Sequence, residues 1–253
     1  MMLTPKMAAW PNKTIRRRER VAQERLSRFI SIIIPAHNEE GYLLETLESL
    51  RRQNYPWYEI VVVANGCTDR TAEIARGNCH RLIVLSQKSL GVARNLGARM
   101  ARGEVILFLD ADTTVEPLTL RKVAEDFSRE CAAATIKGRF DSERFPFSLI
   151  YWFKNFMHRS MLHAGSSGVI ICWKHQFEHI GGFDEQLEVC ENSDLIRRLR
   201  RFGRYKYIGE VTATTSIRRY ERRGFPRQVW LWLKLWVQSL FGDLRHKSYE
   251  TVR

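Results

Sequence analysis

Short apolar runs alternate with amphipathic stretches along the first half of the chain. Four runs have the length and composition of buried strands, namely residues 29–34 (FISIII), 59–64 (EIVVVA), 81–85 (RLIVL) and 104–109 (EVILFL). Between them, residues 40–52 and 90–101 place apolar side chains at helical spacing, and Pro117 is typical of a helix start. Continuously apolar strands joined by helices predict an α/β fold with a mainly parallel central sheet flanked by helices.

The pattern is less regular beyond residue 130. It predicts an aromatic amphipathic stretch at 145–163, a strand at 168–173, a helix at 191–202 and a last helix at 225–241. We therefore expect a basic segment over residues 1–28, one α/β domain over 29–215, and a basic, tryptophan-rich helical segment over 216–253.

Polar loops follow three of the predicted strands. PAHNEE begins at Pro35, NGCTD begins at Asn65 and DADTT begins at Asp110. The carboxyl ends of parallel strands meet at one edge of a sheet, where ligands of α/β proteins bind, so we expect these loops to form one site. The glycine-rich fingerprint GxGxxG and the P-loop motif GxxxxGK[ST] are both missing from the sequence, so this site differs from a Rossmann dinucleotide site or a P-loop.

Asp110 and Asp112 lie two residues apart at the end of a predicted strand. This spacing lets two carboxylates approach one cation, and hard divalent ions prefer oxygen ligands from one or two carboxylates and from substrate phosphates. A metal held there would neutralise a diphosphate leaving group. The alternative interpretation is an ordinary polar turn whose aspartate caps the following helix.

The sequence resembles the large second family of glycosyltransferases, which have the GT-A fold, a Rossmann-like fold that binds nucleotide-diphosphate sugars. The matching segments are SIIIPAHNEE, VVVANGCTDRTAEIA, GVARNLGA, VILFLDADT, GGFDE and ENSDLIRRLRRFG. They occur in the order typical of the family and cover residues 30–205.

The resemblance implies roles for particular residues. The base and ribose of the donor would contact Pro35, Ala36, His37, Asn38, Glu39, Asn65 and Asp69, and the diphosphate or sugar would lie near Gly91, Arg94, Asn95, Asp110 and Ala111. Asp110 and Asp112 match the Asp-X-Asp metal motif of the family, which implies Mg²⁺ or Mn²⁺ as the cofactor. The acceptor side would be shaped by Gly181, Gly182, Phe183 and Asp184. Where the family often has Asp-Gly-Ser, this chain has Asn65-Gly66-Cys67.

The expected general base departs from the family pattern. The family usually has Glu-Asp-X-Asp/Glu, with the first aspartate as the base, whereas this chain has Glu191-Asn192-Ser193-Asp194. An asparagine cannot accept the proton, so Glu191 or Asp194 would be the catalytic residue; the two share a face in a helix. An acidic first turn that stabilises a helix N-terminus is the alternative role for both carboxylates.

The net charge and the tryptophan-rich stretch indicate what kind of partner the chain binds. The formal net charge is +13, which favours anionic partners. Basic residues beside the tryptophan-rich stretch 225–241 are typical of helices at an anionic membrane interface, whereas a core or dimer helix is the alternative. The five cysteines form no CxxC pair and no apolar stretch reaches about 20 residues, so we expect a cytoplasmic protein without a spanning helix, peripheral to the inner face of the cell membrane.

The resemblance thus implies a metal-dependent glycosyltransferase of the hexosyltransferase type. It would transfer a sugar from a nucleotide-diphosphate sugar to an acceptor hydroxyl, lipid-linked or soluble, with inversion of configuration. Two alternatives stay open: a GT-A protein that binds the donor without turnover, suggested by Asn192, and a basic nucleic-acid-binding protein, suggested by the charge. The second leaves the three polar strand-end loops unexplained, so no nucleic-acid partner is expected.

Overall fold

One mixed sheet organises the computed structural model, which describes residues 23–160, 165–166, 168–187 and 189–230. The strands are β1 (Ile30–Ala36), β2 (Tyr58–Asn65), β3 (Arg81–Leu85), β4 (Val105–Leu109), β5 (Thr113–Val115), β6 (Cys131–Phe140), β7 (Val169–Trp173) and β8 (Arg204–Thr215). The helices are α1 (Leu43–Arg51), α2 (Thr71–Arg76), α3 (Leu90–Met100), α4 (Thr119–Asp126), α5 (Phe145–Arg159), α6 (Lys174–His179), α7 (Glu191–Leu199) and α8 (Arg218–Arg223). Residues 225–230 are also helical.

The strands lie in the order β3-β2-β1-β4-β7-β6-β8-β5. Strands β1 to β4 pair in parallel, so the predicted parallel core of the sheet is confirmed. Strand β7 is antiparallel to both β4 and β6, whereas β8 is parallel to β6 and antiparallel to β5. The sheet is therefore mainly parallel, with antiparallel pairs in its second half.

The sequence pattern misses strands β5, β6 and β8, although β8 has 12 residues. Strand β8 carries Arg204, Lys206 and Glu210, and many of its positions are only partly buried. Strand β6 is buried at its alanine-rich start but carries Lys137 and Arg139 at exposed positions near its end. A strand with small or charged residues lacks the continuous apolar run that identified β1 to β4.

Helices cover both faces of the sheet, as predicted. Leucines of α1 and the apolar residues of α4 pack on one face, together with Ile30, Ile32 and Ile34 of β1. Ile33 of the same strand packs on the other face, with residues of α3, α6 and α7. The side chains of a strand alternate between the two faces of its sheet, so β1 contributes to both halves of the core.

Strand β1 is longer than predicted, because it continues through Pro35 to Ala36. Its pairing with β4 ends at Ile33, whereas its pairing with β2 continues to Ala36. Proline has no N–H to donate, so it is tolerated at a strand end where pairing is incomplete. The extension brings the residues that follow Ala36 directly to the carboxyl edge of the sheet.

A third apolar cluster joins α5 to α8. Phe147, Ile217 and Tyr220 are buried in it, and Phe140, Phe225 and Val229 pack against them. The start of the tryptophan-rich segment is thereby packed on the α/β domain. No helix among the described residues is long and apolar enough to cross a membrane. Residues 1–22 and 231–253, and with them most of the two predicted basic segments, lie outside the described residues.

Candidate functional site

The three polar loops meet at the carboxyl edge of the parallel strands, as predicted. Ala36 pairs with Ala64 in register, so the ends of β1 and β2 are level. The Nδ1 atom of His37 lies 2.7 Å from the backbone oxygen of Asn65, and the Sγ atom of Cys67 donates to the backbone oxygen of Ala36 at 3.3 Å. The first and second loops therefore form one continuous wall.

Further side chains hold this wall in place. Asn38 has a left-handed backbone (φ 53°), and its side-chain oxygen accepts from the backbone N–H of Thr68 at 2.9 Å. Asp69 accepts from the backbone N–H of Glu40 in the first loop at 3.1 Å and from that of Thr71, the first residue of α2, at 3.0 Å. The side-chain oxygen of Asn65 accepts from the backbone N–H of Ser89 at 2.8 Å. In the structure these predicted donor-binding side chains therefore also link the loops to one another.

A buried arginine connects the third loop to the acidic turn of α7. The Nη1 atom of Arg94 donates to Glu191 at 2.9 Å and to the side-chain oxygen of Asn192 at 3.0 Å, and its Nη2 atom lies 3.4 Å from Asp110. The Arg94 side chain is 4% exposed, whereas the Asp110 side chain is 33% exposed. The guanidinium of Arg94 thus contacts both the Asp-X-Asp turn and the turn that contains the expected catalytic residues.

The Nε atoms of Arg94 and Arg218 are both buried, and neither has a hydrogen-bond partner among the described residues. A buried guanidinium N–H that lacks an acceptor is costly, so each of these groups has capacity left for an anionic ligand.

Arg218 is a site residue that the sequence pattern did not predict. Its Nη2 atom lies 2.7 Å from Glu39 and 2.8 Å from Asp112, and its guanidinium lies over the ring of Tyr42, 4.4 Å from the centroid. Burial lowers the pKa of Arg218, but the hydrogen bond to Glu39 and the charge of Asp112 raise it overall. The sequence predicts a membrane surface for the basic residues beside the tryptophan-rich stretch, and nothing local in it indicates that Arg218 contacts Glu39 and Asp112.

The inner face of α5 is a second contribution that the sequence did not predict. Burial raises the pKa of Tyr151, and the charges of Asp110 and Asp112 act in the same direction. Burial lowers the pKa of Lys154 to about 8, an effect that the charge of Asp110 partly opposes. The ring of Phe147 in α5 also packs on Tyr220 of α8, whose first residue, Arg218, contacts Asp112, so α5 lies one helix away from the Asp-X-Asp turn.

The predicted acceptor-side loop is fixed to α3. The side-chain amide of Asn95 accepts from the backbone N–H of Phe183 at 2.8 Å and donates to the backbone oxygen of the same residue at 3.0 Å. Gly91 lies against the backbone of Glu185, where a Cβ atom would approach its Cα atom to 3.0 Å. Asn95 and Gly91 therefore hold the loop, rather than facing open space.

The loop borders a groove of about 330 Å³. Its lining residues are Ile180, Gly181, Gly182, Phe183, Asp184, Asp194, Arg197 and Arg198. Asp194 accepts from Arg197 at 2.7 Å and from Arg198 at 2.8 Å. Both of its oxygens are engaged within α7, whereas Glu191 contacts the Arg94 cluster.

The oxygen donors of the Asp-X-Asp turn fit a divalent metal of the kind that completes its shell with substrate phosphates. Asp110 is partly exposed and Asp112 is buried beside Arg218. Within the described residues, no group of three or more His, Cys, Asp or Glu side chains is arranged to hold a metal by itself. Ala111 lies between the two carboxylates, and its backbone oxygen accepts from Thr46 at 2.9 Å, which fixes the turn on α1.

Known proteins are similar to this chain in sequence and in fold. Among curated relatives, the putative glycosyltransferase EpsH of Bacillus subtilis (strain 168) is 37% identical over 93 residues, which cover 35% of this chain and 27% of EpsH. The chondroitin synthase of Escherichia coli is 27% identical over 214 residues, which cover 78% of this chain and 30% of the synthase. The chain therefore spans less than a third of the length of these relatives.

Solved structures show the same fold at low identity. S. aureus TarS 1-349 in complex with UDP-GlcNAc has a TM-score of 0.58 and 23% identity, over 74% of this chain and 58% of that one. The mannosyltransferase PcManGT from Pyrobaculum calidifontis, in complex with GDP-Man and Mn²⁺, has a TM-score of 0.63 and 20% identity, over 74% of this chain and 56% of that one. The expected GT-A fold is thereby confirmed.

A family model described as Glycosyl transferase family 2 matches residues 31–177, which is more than half of the chain. The matched range begins in β1, includes the three strand-end loops, and ends in α6. The chain belongs to glycosyl transferase family 2, a family of glycosyltransferases.

Proposed function

We propose that the protein transfers a sugar from a nucleotide-diphosphate sugar to an acceptor hydroxyl at the carboxyl edge of β1, β2 and β4. The observation that carries this proposal is the Arg94 cluster. The buried guanidinium of Arg94 contacts Asp110 of the Asp-X-Asp turn and also Glu191 and Asn192 of α7. A donor diphosphate and an acceptor hydroxyl would therefore meet at a single point.

The donor would lie along the wall formed by the first two loops. His37, Asn38, Asn65 and Asp69 would contact the base and ribose, in the positions that the family resemblance implies. The diphosphate would approach Arg94, whose buried Nε atom has no partner among the described residues. Guanidinium groups bind phosphate oxygens through charge-assisted hydrogen bonds, which supports this placement. The structures of TarS with UDP-GlcNAc and of PcManGT with GDP-Man support this class of donor.

Asp110 and Asp112 would hold Mg²⁺ or Mn²⁺. When bound, the metal would stabilise the negative charge of the departing diphosphate. The Mn²⁺ in the PcManGT complex supports a divalent ion in this fold. The carboxylate of Asp110 contacts Arg94 only at 3.4 Å and is one-third exposed, so it is accessible to such a ligand.

Glu191 is the better candidate for the general base. It would take the proton of the acceptor hydroxyl as the oxygen attacks the anomeric carbon on the face opposite the diphosphate, which inverts the configuration. Glu191 lies in the Arg94 cluster, whereas Asp194 accepts from two arginines of its own helix. Asn192 cannot replace it, because an amide does not accept a proton at neutral pH.

Substitution of the two carboxylates tests the reaction. Glu191→Gln should lower the release of nucleoside diphosphate from a panel of UDP- and GDP-sugars by roughly 10²-fold, as expected for a lost general base. Asp194→Asn is the matched control and should keep most of the rate. Donor binding, followed by thermal shift, should survive in both variants.

The opposite ranking of the two variants would assign the base to Asp194. A protein that binds a nucleotide sugar but releases no diphosphate with any donor would instead be a binding protein without turnover, the alternative suggested by Asn192.

We also propose peripheral attachment to an anionic membrane surface through the basic, tryptophan-rich segment 216–253, with the α/β domain of residues 29–215 as the catalytic unit and residues 1–28 as a basic extension. The exposed side chain of Trp230 (71%) supports this attachment. Tryptophan rings and basic residues together favour the interface of anionic bilayers.

A further inference from the structure

Helix α5 has an exposed apolar face. Five large side chains on it are at least half exposed, namely Phe145 (76%), Leu149 (51%), Trp152 (64%), Phe153 (50%) and Phe156 (50%). Their spacing of three and four residues places them along one side of the helix, and the rings of Trp152 and Phe156 are stacked with centroids 6.0 Å apart. Contiguous apolar surfaces of this kind mark interaction sites in soluble domains.

Among the described residues, α5 packs on the domain through its opposite side. Phe147 and Tyr151, on the opposite side of α5, are buried against Phe140 and Tyr220 in edge-to-face ring contacts. The helix is therefore fixed to the domain by its inner side chains, and its outer aromatic residues are held outward on a rigid support. A rigid support allows the rings to be presented without an ordering cost on binding.

The charge around this face suits an anionic partner. Helix α5 contains no Asp or Glu, and its last residue, Arg159, is exposed. Residues 137–160 and 216–230, which pack together through the third apolar cluster, contain ten Lys and Arg against three Asp and Glu. Two of the ten face inward, because Lys154 lies over the buried ring of Tyr151 and Arg218 is buried in ion pairs, so eight are left against the same three acidic residues. Aromatic rings beside basic side chains match the two parts of an anionic bilayer surface, because rings enter the headgroup boundary and cations pair with lipid phosphates.

The face also lies close to the proposed reaction site. On the inner side of the same helix, the ring of Phe147 packs on Tyr220 of α8, and α8 begins with Arg218, whose Nη2 atom lies 2.8 Å from Asp112. A surface attached to α5 would thus be one helix away from the point where an acceptor hydroxyl must arrive.

We propose that the outer face of α5 docks on an anionic lipid bilayer and that the acceptor is a lipid-linked hydroxyl compound presented at that surface. This inference rests on the proposed sugar transfer for the acceptor, whereas the docking itself depends only on the exposed face and its charge. It places a membrane contact in the α/β domain itself, apart from the predicted helix 225–241.

Vesicle binding tests the docking. The full chain is sedimented at low salt with vesicles of phosphatidylglycerol and phosphatidylcholine, and with vesicles of phosphatidylcholine alone. The double variant Trp152→Ser/Phe153→Ser should bind the anionic vesicles roughly tenfold more weakly or worse, because it removes the large apolar rings that insert. Trp57→Ser is the matched control. Trp57 is 50% exposed and directly precedes β2, so it lies at the amino ends of the parallel strands, opposite the carboxyl edge that holds the site. This variant should therefore bind like the intact chain.

Two further measurements separate the outcomes. The double variant and the intact chain should have equal melting curves and equal thermal shifts with nucleotide sugars. If neither protein shows a thermal shift, the proposed donor site is wrong, and this result does not depend on whether the chain binds vesicles. The docking is wrong if the intact chain ignores anionic vesicles, or if the double variant binds them as well as Trp57→Ser does. A dimer in solution that the double variant abolishes would overturn it as well, since a second copy would then cover the face.

A sugar-transfer assay tests whether the acceptor is lipid-linked. With donor supplied, label from the sugar should appear in the organic phase of a lipid extract incubated with the intact chain. Transfer to water-soluble acceptors alone would contradict a lipid-linked acceptor.

Discussion

At the scale of single residues, the candidate site is organised by two buried arginines. Arg94 joins Asp110 to the acidic turn of α7, and Arg218 joins Glu39 to Asp112. Buried ion pairs contribute little net stability when both partners are present, but removal of one partner leaves an uncompensated buried charge. The two arginines therefore keep four carboxylates in place, namely Asp110, Glu191, Glu39 and Asp112, that would otherwise repel one another.

Arg218→Gln should reveal the competition between this arginine and a metal for Asp112. The side chains of Arg218, Glu39 and Asp112 are all at most 5% exposed, so the loss of the cation should cost about 3 to 5 kcal/mol of unfolding free energy. Mn²⁺ should restore part of this loss, because it supplies positive charge to the same carboxylate. The rise in melting temperature on adding Mn²⁺ should therefore be larger in the variant than in the intact chain.

The exposed neighbour Arg222 provides the control, and Arg222→Gln should leave both the stability and the Mn²⁺ response unchanged. An equal response to Mn²⁺ in Arg218→Gln and in the intact chain would mean that the metal does not use Asp112.

The sequence motifs contain most residues of the candidate site but do not indicate which side chains contact them. Asp110, Asp112, Glu39 and Glu191 stand in recognisable motifs. Arg218 is 179 residues from Glu39 along the chain and is one of four arginines within residues 218–223, so neither spacing nor composition separates it from its neighbours. A contact of this range depends on how β8 returns the chain to the carboxyl edge, and the sequence pattern did not predict β8.

At the scale of elements, the strands that carry the site were predictable because they are buried on both faces. Strands β1, β2 and β4 are continuous apolar runs, and their polar loops follow directly. Strands β6 and β8 form much of the second half of the sheet, but their charged and small residues interrupt the continuous apolar run by which a buried strand is predicted. The parallel core and its site could therefore be predicted, whereas the mixed part of the sheet could not.

Helix α3 must approach β1 closely to bring Arg94 and Asn95 into position. Gly97 makes this possible, because a Cβ atom on it would overlap the side chain of Ile33. Gly97→Ala should cost about 1 to 3 kcal/mol of unfolding free energy through overpacking. It should also weaken donor binding, since α3 would have to shift away from the sheet.

Gly77→Ala is the matched control for this change. No atom lies within 4 Å of the Cβ position of Gly77, and the backbone there has φ −99°, which alanine adopts without strain. Urea unfolding of both variants provides the measurement. Equal stability of Gly97→Ala and Gly77→Ala would show that the close approach of α3 is not required.

At the scale of the whole molecule, residues after Thr215 belong partly to the site and partly to the proposed membrane surface. Arg218 contacts the Asp-X-Asp turn, and Ile217 and Tyr220 are buried against α5. The expected segment 216–253 therefore begins with residues that pack on the α/β domain, while its remainder from residue 231 lies outside the described residues.

Two truncations distinguish these parts. A chain that ends at Thr215 loses the third apolar cluster and Arg218, so it should melt at a lower temperature and lose nucleotide-sugar binding. A chain that ends at Trp230 keeps both, so its melting temperature and donor binding should match the intact chain, while its affinity for anionic vesicles falls. A chain ending at Thr215 that melts and binds donor normally would contradict this division.

The proposed sugar transfer requires a metal and a nucleotide-diphosphate sugar to bind together at the Asp-X-Asp turn. Calorimetric titration of the protein with UDP- and GDP-sugars, with and without Mn²⁺, tests it most directly. We predict that at least one donor binds the intact chain and Glu48→Gln, an exposed control on α1, only when Mn²⁺ is present. Asp112→Asn should lose this Mn²⁺-dependent binding while keeping the fold. Donor binding that is equally strong without Mn²⁺, or unchanged in Asp112→Asn, would contradict the account.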